Sequence, residues 1–123
     1  QVGLLDERFF MYCEEVDWCR RIKDSGWRVY CVPKAEIVHL SGRSTQQFRE
    51  EMFVALWRSR YQLFAKHNNW LYRRAVGLIV AAGLGREAAR VRRQVRQGLL
   101  DEATGRRRLG AFARVRELGR EIL

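Results

Sequence analysis

The sequence predicts a mixed α/β front, residues 1–44, followed by an all-helical basic tail, residues 45–123. Three observations carry this expectation. Trp27-Arg28-Val29-Tyr30-Cys31-Val32 is rich in β-branched and aromatic residues and reads as a strand. Before it, in Glu14–Ser25, Val16, Cys19 and Ile22 recur every three positions, as on one helix face. From Thr45 onward apolar residues keep helical spacing, and the charge balance changes with them. Residues 1–40 carry six Lys/Arg against seven Asp/Glu, and residues 41–123 carry eighteen against seven.

Leu4–Tyr12 mixes Asp6-Glu7 with Phe9-Phe10-Met11-Tyr12 and reads as a turn or short helix entering a buried loop. The Glu14–Ser25 helix has Glu14, Glu15 and Asp17 in its first turn and Arg20, Arg21 and Lys23 later, which complements the helix dipole at both ends. Gly26 is a natural C-terminal stop. Pro33 closes the first strand, Ala35–Leu40 forms a second extended segment, and Ser41-Gly42-Arg43-Ser44 a polar loop. In the tail, Phe48, Met52, Ala55, Leu56, Tyr61, Phe64 and Ala65 define a helix capped by Ser44 or Thr45. His67-Asn68-Asn69 breaks it. A second helix starts near Trp70 and runs through Leu84, and basic helices follow over about 86–97 and 107–122, separated by Gly98 and Gly105.

With 123 residues the chain holds at most one domain. Its opening, Gln1-Val2-Gly3-Leu4-Leu5, has no initiator Met and no signal-peptide pattern, and reads as a cut inside a longer protein. Cys13, Cys19 and Cys31 are odd in number and unpaired in spacing. This fits a reducing compartment and small apolar roles better than a disulfide framework or a zinc site. A net charge of +10, placed wholly in the tail, implies an anionic partner: nucleic acid, lipid headgroups or a phosphorylated substrate. Ala75–Gly85 is too short an apolar run to span a bilayer. Flanked by Arg73, Arg74 and Arg86, it suits either a membrane interface or a packed helix.

Three features could carry chemistry. Glu14, Glu15 and Asp17 crowd one helix start, where mutual repulsion can raise a carboxylate pKa and make a base. The same pattern also suits an ordinary solvated helix end. His39, at the end of an apolar strand, could ligate a metal or a phosphate oxygen, or serve only the packing. The loop with Arg43 and Ser44 could hold a diphosphate through backbone N–H groups and the guanidinium, or simply turn.

In order, these features resemble a known family. The run Leu5-Asp6-Glu7-Arg8-Phe9-Phe10-Met11-Tyr12-Cys13-Glu14-Glu15-Val16-Asp17-Trp18-Cys19-Arg20-Arg21, then Gly26-Trp27, Val32-Pro33-Lys34-Ala35, Val38-His39 and Gly42-Arg43-Ser44, resembles family 2 glycosyltransferases of the rhamnosyltransferase-like kind. The resemblance spans about residues 3–67. It implies a GT-A fold, a Rossmann-like α/β sandwich of which this chain would be the C-terminal, acceptor-side part. It implies a nucleotide-sugar donor, and a divalent metal, Mg or Mn, held mainly by residues outside this chain. Glu15 falls where the family carries its base, an Asp there. Glu14 and Asp17 flank it, with Asp17 expected to orient the site or the helix. His39 would touch the metal or the donor diphosphate, with Arg43 and Ser44 in a loop over the donor.

The reaction implied is inverting transfer of a sugar to a hydroxyl of a saccharide or lipid-linked acceptor in surface polysaccharide synthesis. The place implied is the cytoplasmic side of the cell membrane, with the tail in peripheral contact with anionic lipid and with no nucleic acid as partner. Without the donor-binding half, the chain alone is expected to be inactive. The competing readings are a nucleic-acid-binding module and an oligomerisation module. Arg90, Arg92, Arg93 and Arg106–Arg108 support the first, but aromatic residues are not interleaved with them. Against the second, no heptad register persists and glycines are frequent in the tail.

Overall fold

The computed structural model describes residues 2–38 and 48–123. Four helices follow one another: α1 (Glu14–Asp24), α2 (Arg49–His67), α3 (Trp70–Arg96) and α4 (Glu102–Ile122). Among the described residues there is no strand, so the expected α/β front, and with it the Rossmann-like sheet, is overturned.

The reason lies in the turn between the two supposed strands. The Ala35 N–H donates to the Val32 carbonyl at 3.0 Å, closing a turn with Pro33 at its second position. Proline holds φ near −65°, whereas tight hairpins need positive φ there to keep the flanking strands in register. Among the described residues the two arms form no ladder, and a strand without a neighbour is not stable. Trp27, Tyr30 and Val32 stand 70%, 72% and 63% exposed. Ala35–Val38 of the second extended segment form no strand either, and its residues 39 and 40 lie outside the described residues.

The α1 boundaries follow the sequence signals. Gly26 takes φ +83°, the Trp27 N–H reaches back to the Ile22 carbonyl and the Gly26 N–H to that of Lys23, closing the helix as a Schellman motif. The same motif ends α3, with Gly98 at φ +69°, Leu99 N–H on Gln94 and Gly98 N–H on Val95. At the break after α2, Asn69 caps α3 by accepting the Tyr72 N–H at 3.0 Å.

The tail departs from its expected breaks in two places. The second helix does not end at Leu84: α3 runs unbroken from Trp70 through Gly85 to Arg96, about 40 Å at the standard rise. Gly105 does not separate helices but lies buried inside α4. A Cβ built there would come within 2.6 Å of Val95 Cγ2, so this glycine sets the close crossing of α3 and α4. Both expectations took helix propensity as decisive, and packing overrides it.

Helix α4 lies against both α2 and α3, which touch each other little. The core gathers Tyr61 from α2, Leu84 from α3, and Val115 and Leu118 from α4, with Phe53, Trp57, Phe64, Val80 and Phe112 around them. Gly119 lets α4 approach the Tyr61 ring, since a Cβ there would sit 3.2 Å from its hydroxyl. Part of the apolar surface of the tail is thus spent within the chain, while Leu71, Leu78 and Ile79 of α3 stay exposed. Among the described residues no helix is long and apolar enough to cross a membrane.

Candidate functional site

The front docks on α2 through a polar junction centred on Asp17. Its carboxylate is fully buried yet meets three partners. Arg21 Nε donates to Oδ2 at 2.8 Å. Lys66 Nζ lies 2.7 Å from Oδ1 and 2.8 Å from Oδ2. His67 Nε2 lies 2.6 Å from Oδ1. Burial by itself raises the Asp17 pKa, but hydrogen bonds from Lys66, His67 and Arg21 outweigh it and hold the pKa down at about 2. Lys66 also binds Asp6 at 2.7 Å. Asp6 accepts Arg8 at 2.6 Å, and the Arg8 and Lys66 hydrogen bonds together hold its carboxyl well below the usual range.

From this hub α1 holds the start of the chain. Arg21 donates to the Val2 carbonyl and, at 2.7 Å, to that of Leu4. Trp18 Nε1 donates to the Gly3 carbonyl at 3.1 Å. Phe9 is buried beneath Lys66, whose Nζ sits 5.8 Å from the ring centroid.

Between hub and helix the backbone is strained. Tyr12 and Cys13 both adopt left-handed φ, 70° and 67°, a conformation that costs a non-glycine residue about 1–3 kcal/mol. Ser59 pins this bend from α2, its hydroxyl donating to the Met11 carbonyl at 2.6 Å. The bend carries Glu14 and Glu15 into the first turn of α1.

The three acids read from the sequence therefore occupy three environments. Asp17 is buried, ionised and fully bonded, so it has no free lone pair with which to take a proton from a substrate. Glu14 is half-buried, and its Oε2 finds no hydrogen-bond partner among the described residues. Glu15 is exposed. The expected donor-side residues His39, Arg43 and Ser44 lie outside the described residues. Among the described residues no three His, Cys, Asp or Glu side chains gather as a metal-binding set. Asp6 and Asp17 are taken by cations, which makes them poor ligands, so no metal-dependent step is derived from these groups.

Sequence reasoning missed Lys66, His67 and Ser59. Lys66 and His67 were legible as basic residue types in the last turn of α2. Their approach to a residue 49 or 50 positions earlier was not.

Over 71 residues the chain is 39% identical to the N-acetylglucosaminyl-diphospho-decaprenol L-rhamnosyltransferase of two Mycobacterium tuberculosis strains, 57% of this chain and 23% of the relative. Over 66 residues it is 29% identical to rhamnosyltransferase WbbL of Escherichia coli, 54% of this chain and 25% of that protein. The chain thus spans about a quarter of the length of the curated relatives it matches. No family model matches, and no solved structure matches.

Proposed function

We propose that this chain forms the acceptor side of an inverting glycosyltransferase, with Glu15 as the base. The observation that carries the reading is the Tyr12–Cys13 bend, which sets an exposed Glu15, without an ion pair among the described residues, beside a half-buried Glu14 at the head of α1. A general base must reach its proton, and Glu15 alone of the three acids is open to a substrate. Strain of this kind persists where surrounding contacts over-determine it and clusters at functional positions. Likeness to rhamnosyltransferases supports the same class of reaction.

In this reading a hydroxyl of a saccharide or lipid-linked acceptor gives its proton to Glu15 as its oxygen attacks the anomeric carbon of a nucleotide-diphosphate sugar. The new C–O bond forms as the bond to the diphosphate breaks on the opposite face. The nucleoside diphosphate leaves with that electron pair, and the configuration inverts. Asp17, through Arg21, Lys66 and His67, keeps α1 seated on α2 and acts as a positioning residue. A divalent metal would supply charge neutralisation on the leaving diphosphate. Its ligands are expected outside the described set, together with the roles of His39, Arg43 and Ser44.

The test is sugar transfer by the intact protein carrying Glu15→Gln. Turnover should fall about a hundredfold or more, the usual contribution of a general base, with donor affinity kept. Unchanged turnover would remove Glu15 from the reaction. A loss restored by Glu15→Asp would establish the carboxylate itself as the requirement.

A further inference from the structure

At the far end of the tail from the α3–α4 turn, α2, α3 and α4 enclose a cavity of about 290 Å³. Four arginines line it, Arg73 and Arg74 from α3 and Arg116 and Arg120 from α4, over a floor that includes Leu78 and Leu123. None of the four makes an ion pair among the described residues, although Arg8, Arg21, Arg106 and Arg114 all do. Among the described residues no Asp or Glu side chain lines the cavity. The Arg73 Nε is buried and has no hydrogen-bond partner among the described residues, and a buried donor left unpaired costs about 1–3 kcal/mol.

Arg116 and Arg120 stand one helical turn apart, where like charges repel. The antiparallel α3–α4 pairing brings Arg73 and Arg74 beside them, so the repulsion is compounded. Such an arrangement is stabilised by a ligand carrying several negative oxygens, which guanidinium groups bind with paired N–H donors. The wall is apolar as well as basic: Leu78, 73% exposed, runs from the cavity to the surface, with Leu123 half-buried in the same lining. A free phosphate needs no such wall, whereas a phosphate borne on a hydrocarbon chain would cover it.

We propose that this cavity binds the diphosphate of a lipid-linked compound, with the arginines on the phosphate oxygens and the hydrocarbon laid over Leu78 and Leu123. The lipid half of this proposal rests on the acceptor reading above, while the anion half stands on the cavity alone. The Arg73 Nε–H would gain its missing acceptor, and no covalent change is involved. The site is separate from Glu15, since Arg73, Arg74, Arg116 and Arg120 belong to the tail helices and not to the front.

The experiment measures binding of farnesyl diphosphate and of inorganic pyrophosphate to the full chain by calorimetry. Arg74→Gln/Arg120→Gln is compared with Arg92→Gln/Arg93→Gln, exposed positions at the other end of α3 that remove the same charge. Far-UV circular dichroism confirms that both fold. Farnesyl diphosphate should bind saturably and about tenfold or more tighter than pyrophosphate. The cavity variant should lose about tenfold, and the control variant little, as expected for removing charge-assisted bonds at one site. Equal loss in both variants, or no saturable binding, would overturn the site. Equal affinity for the two ligands would keep the anion site and overturn the lipid-linked ligand. Because binding is read without transfer, failure here leaves the Glu15 reading standing, and a silent Glu15→Gln leaves the anion site standing.

Discussion

In the tail, Tyr61, Leu84, Val115 and Leu118 bury apolar side chains from three helices against one another. In the front, Phe9 is the one apolar residue among the described ones that is buried, and the contact with α2 runs through Asp17, Lys66, His67 and Ser59. The tail is thus held by removing hydrocarbon from water, which is insensitive to pH. The front is held by charges and hydrogen bonds whose strength depends on protonation. The difference also sets a hierarchy, because α2 belongs to the tail core on one face and carries the front on another. The tail can stand without the front, but the front has no platform without α2.

The largest way to break this relation is Tyr61→Ala. Removing a fully buried aromatic ring from a core costs about 3–5 kcal/mol, and Gly119 leaves nothing on α4 to refill the space. Amide hydrogen exchange should show protection lost through α2, α3 and α4 and through residues 2–24 with them. Front protection that survived a melted tail would reverse the hierarchy. Tyr61→Phe, which keeps the ring, should change little.

How far the sequence revealed this division follows from the range of the interactions. The α1 end at Gly26 and the α3 end at Gly98 were legible because a Schellman motif is written in a few adjacent residues. The break at Asn68-Asn69 was legible for the same reason. The strand reading of residues 27–32 took side-chain preference as sufficient, and the Pro33 turn denies the partner that any strand requires. Gly105 was read as a breaker because its role, admitting Val95, is set by a residue ten positions away on another helix. At the candidate site Asp17 was picked out by its place in a motif. Its burial under Lys66 and His67, which makes it a structural hub, depends on the docking of α1 on α2.

A medium-sized effect comes from titrating the hub. The folded Asp17 has a pKa of about 2, below the ordinary value near 4. Its contribution is therefore complete above about pH 5 and is lost as the pH falls through 4 toward 2. The depression from the ordinary value corresponds to about 2–3 kcal/mol, and Asp6, also depressed, acts in the same direction. Between pH 5 and pH 2, exchange protection of α1 should fall while that of the tail core persists. Asp17→Asn should give the low-pH behaviour already at pH 7, since it leaves Lys66 without its buried counter-charge. A front that stayed protected at pH 2 would mean that Phe9 and the Ser59–Met11 bond suffice to hold it.

The smallest expected effect tests whether the tail is wholly free of such polar control. Asp101 caps α4, its Oδ1 accepting the Thr104 N–H at 2.8 Å, and this backbone hydrogen bond lowers its pKa. Asp101→Ala removes the acceptor and should cost about 1 kcal/mol, read as a lower thermal midpoint and faster exchange in the first turn of α4 alone. Asp101→Asn keeps a side-chain oxygen for the same bond and should recover most of the loss. If Ala were as stable as Asp, the turn between α3 and α4 would be fixed by the Gly98 motif and the Gly105–Val95 crossing without help from the cap. If the loss spread into α2, the junction of α3 and α4 would be a second place where the apolar core depends on a single carboxylate.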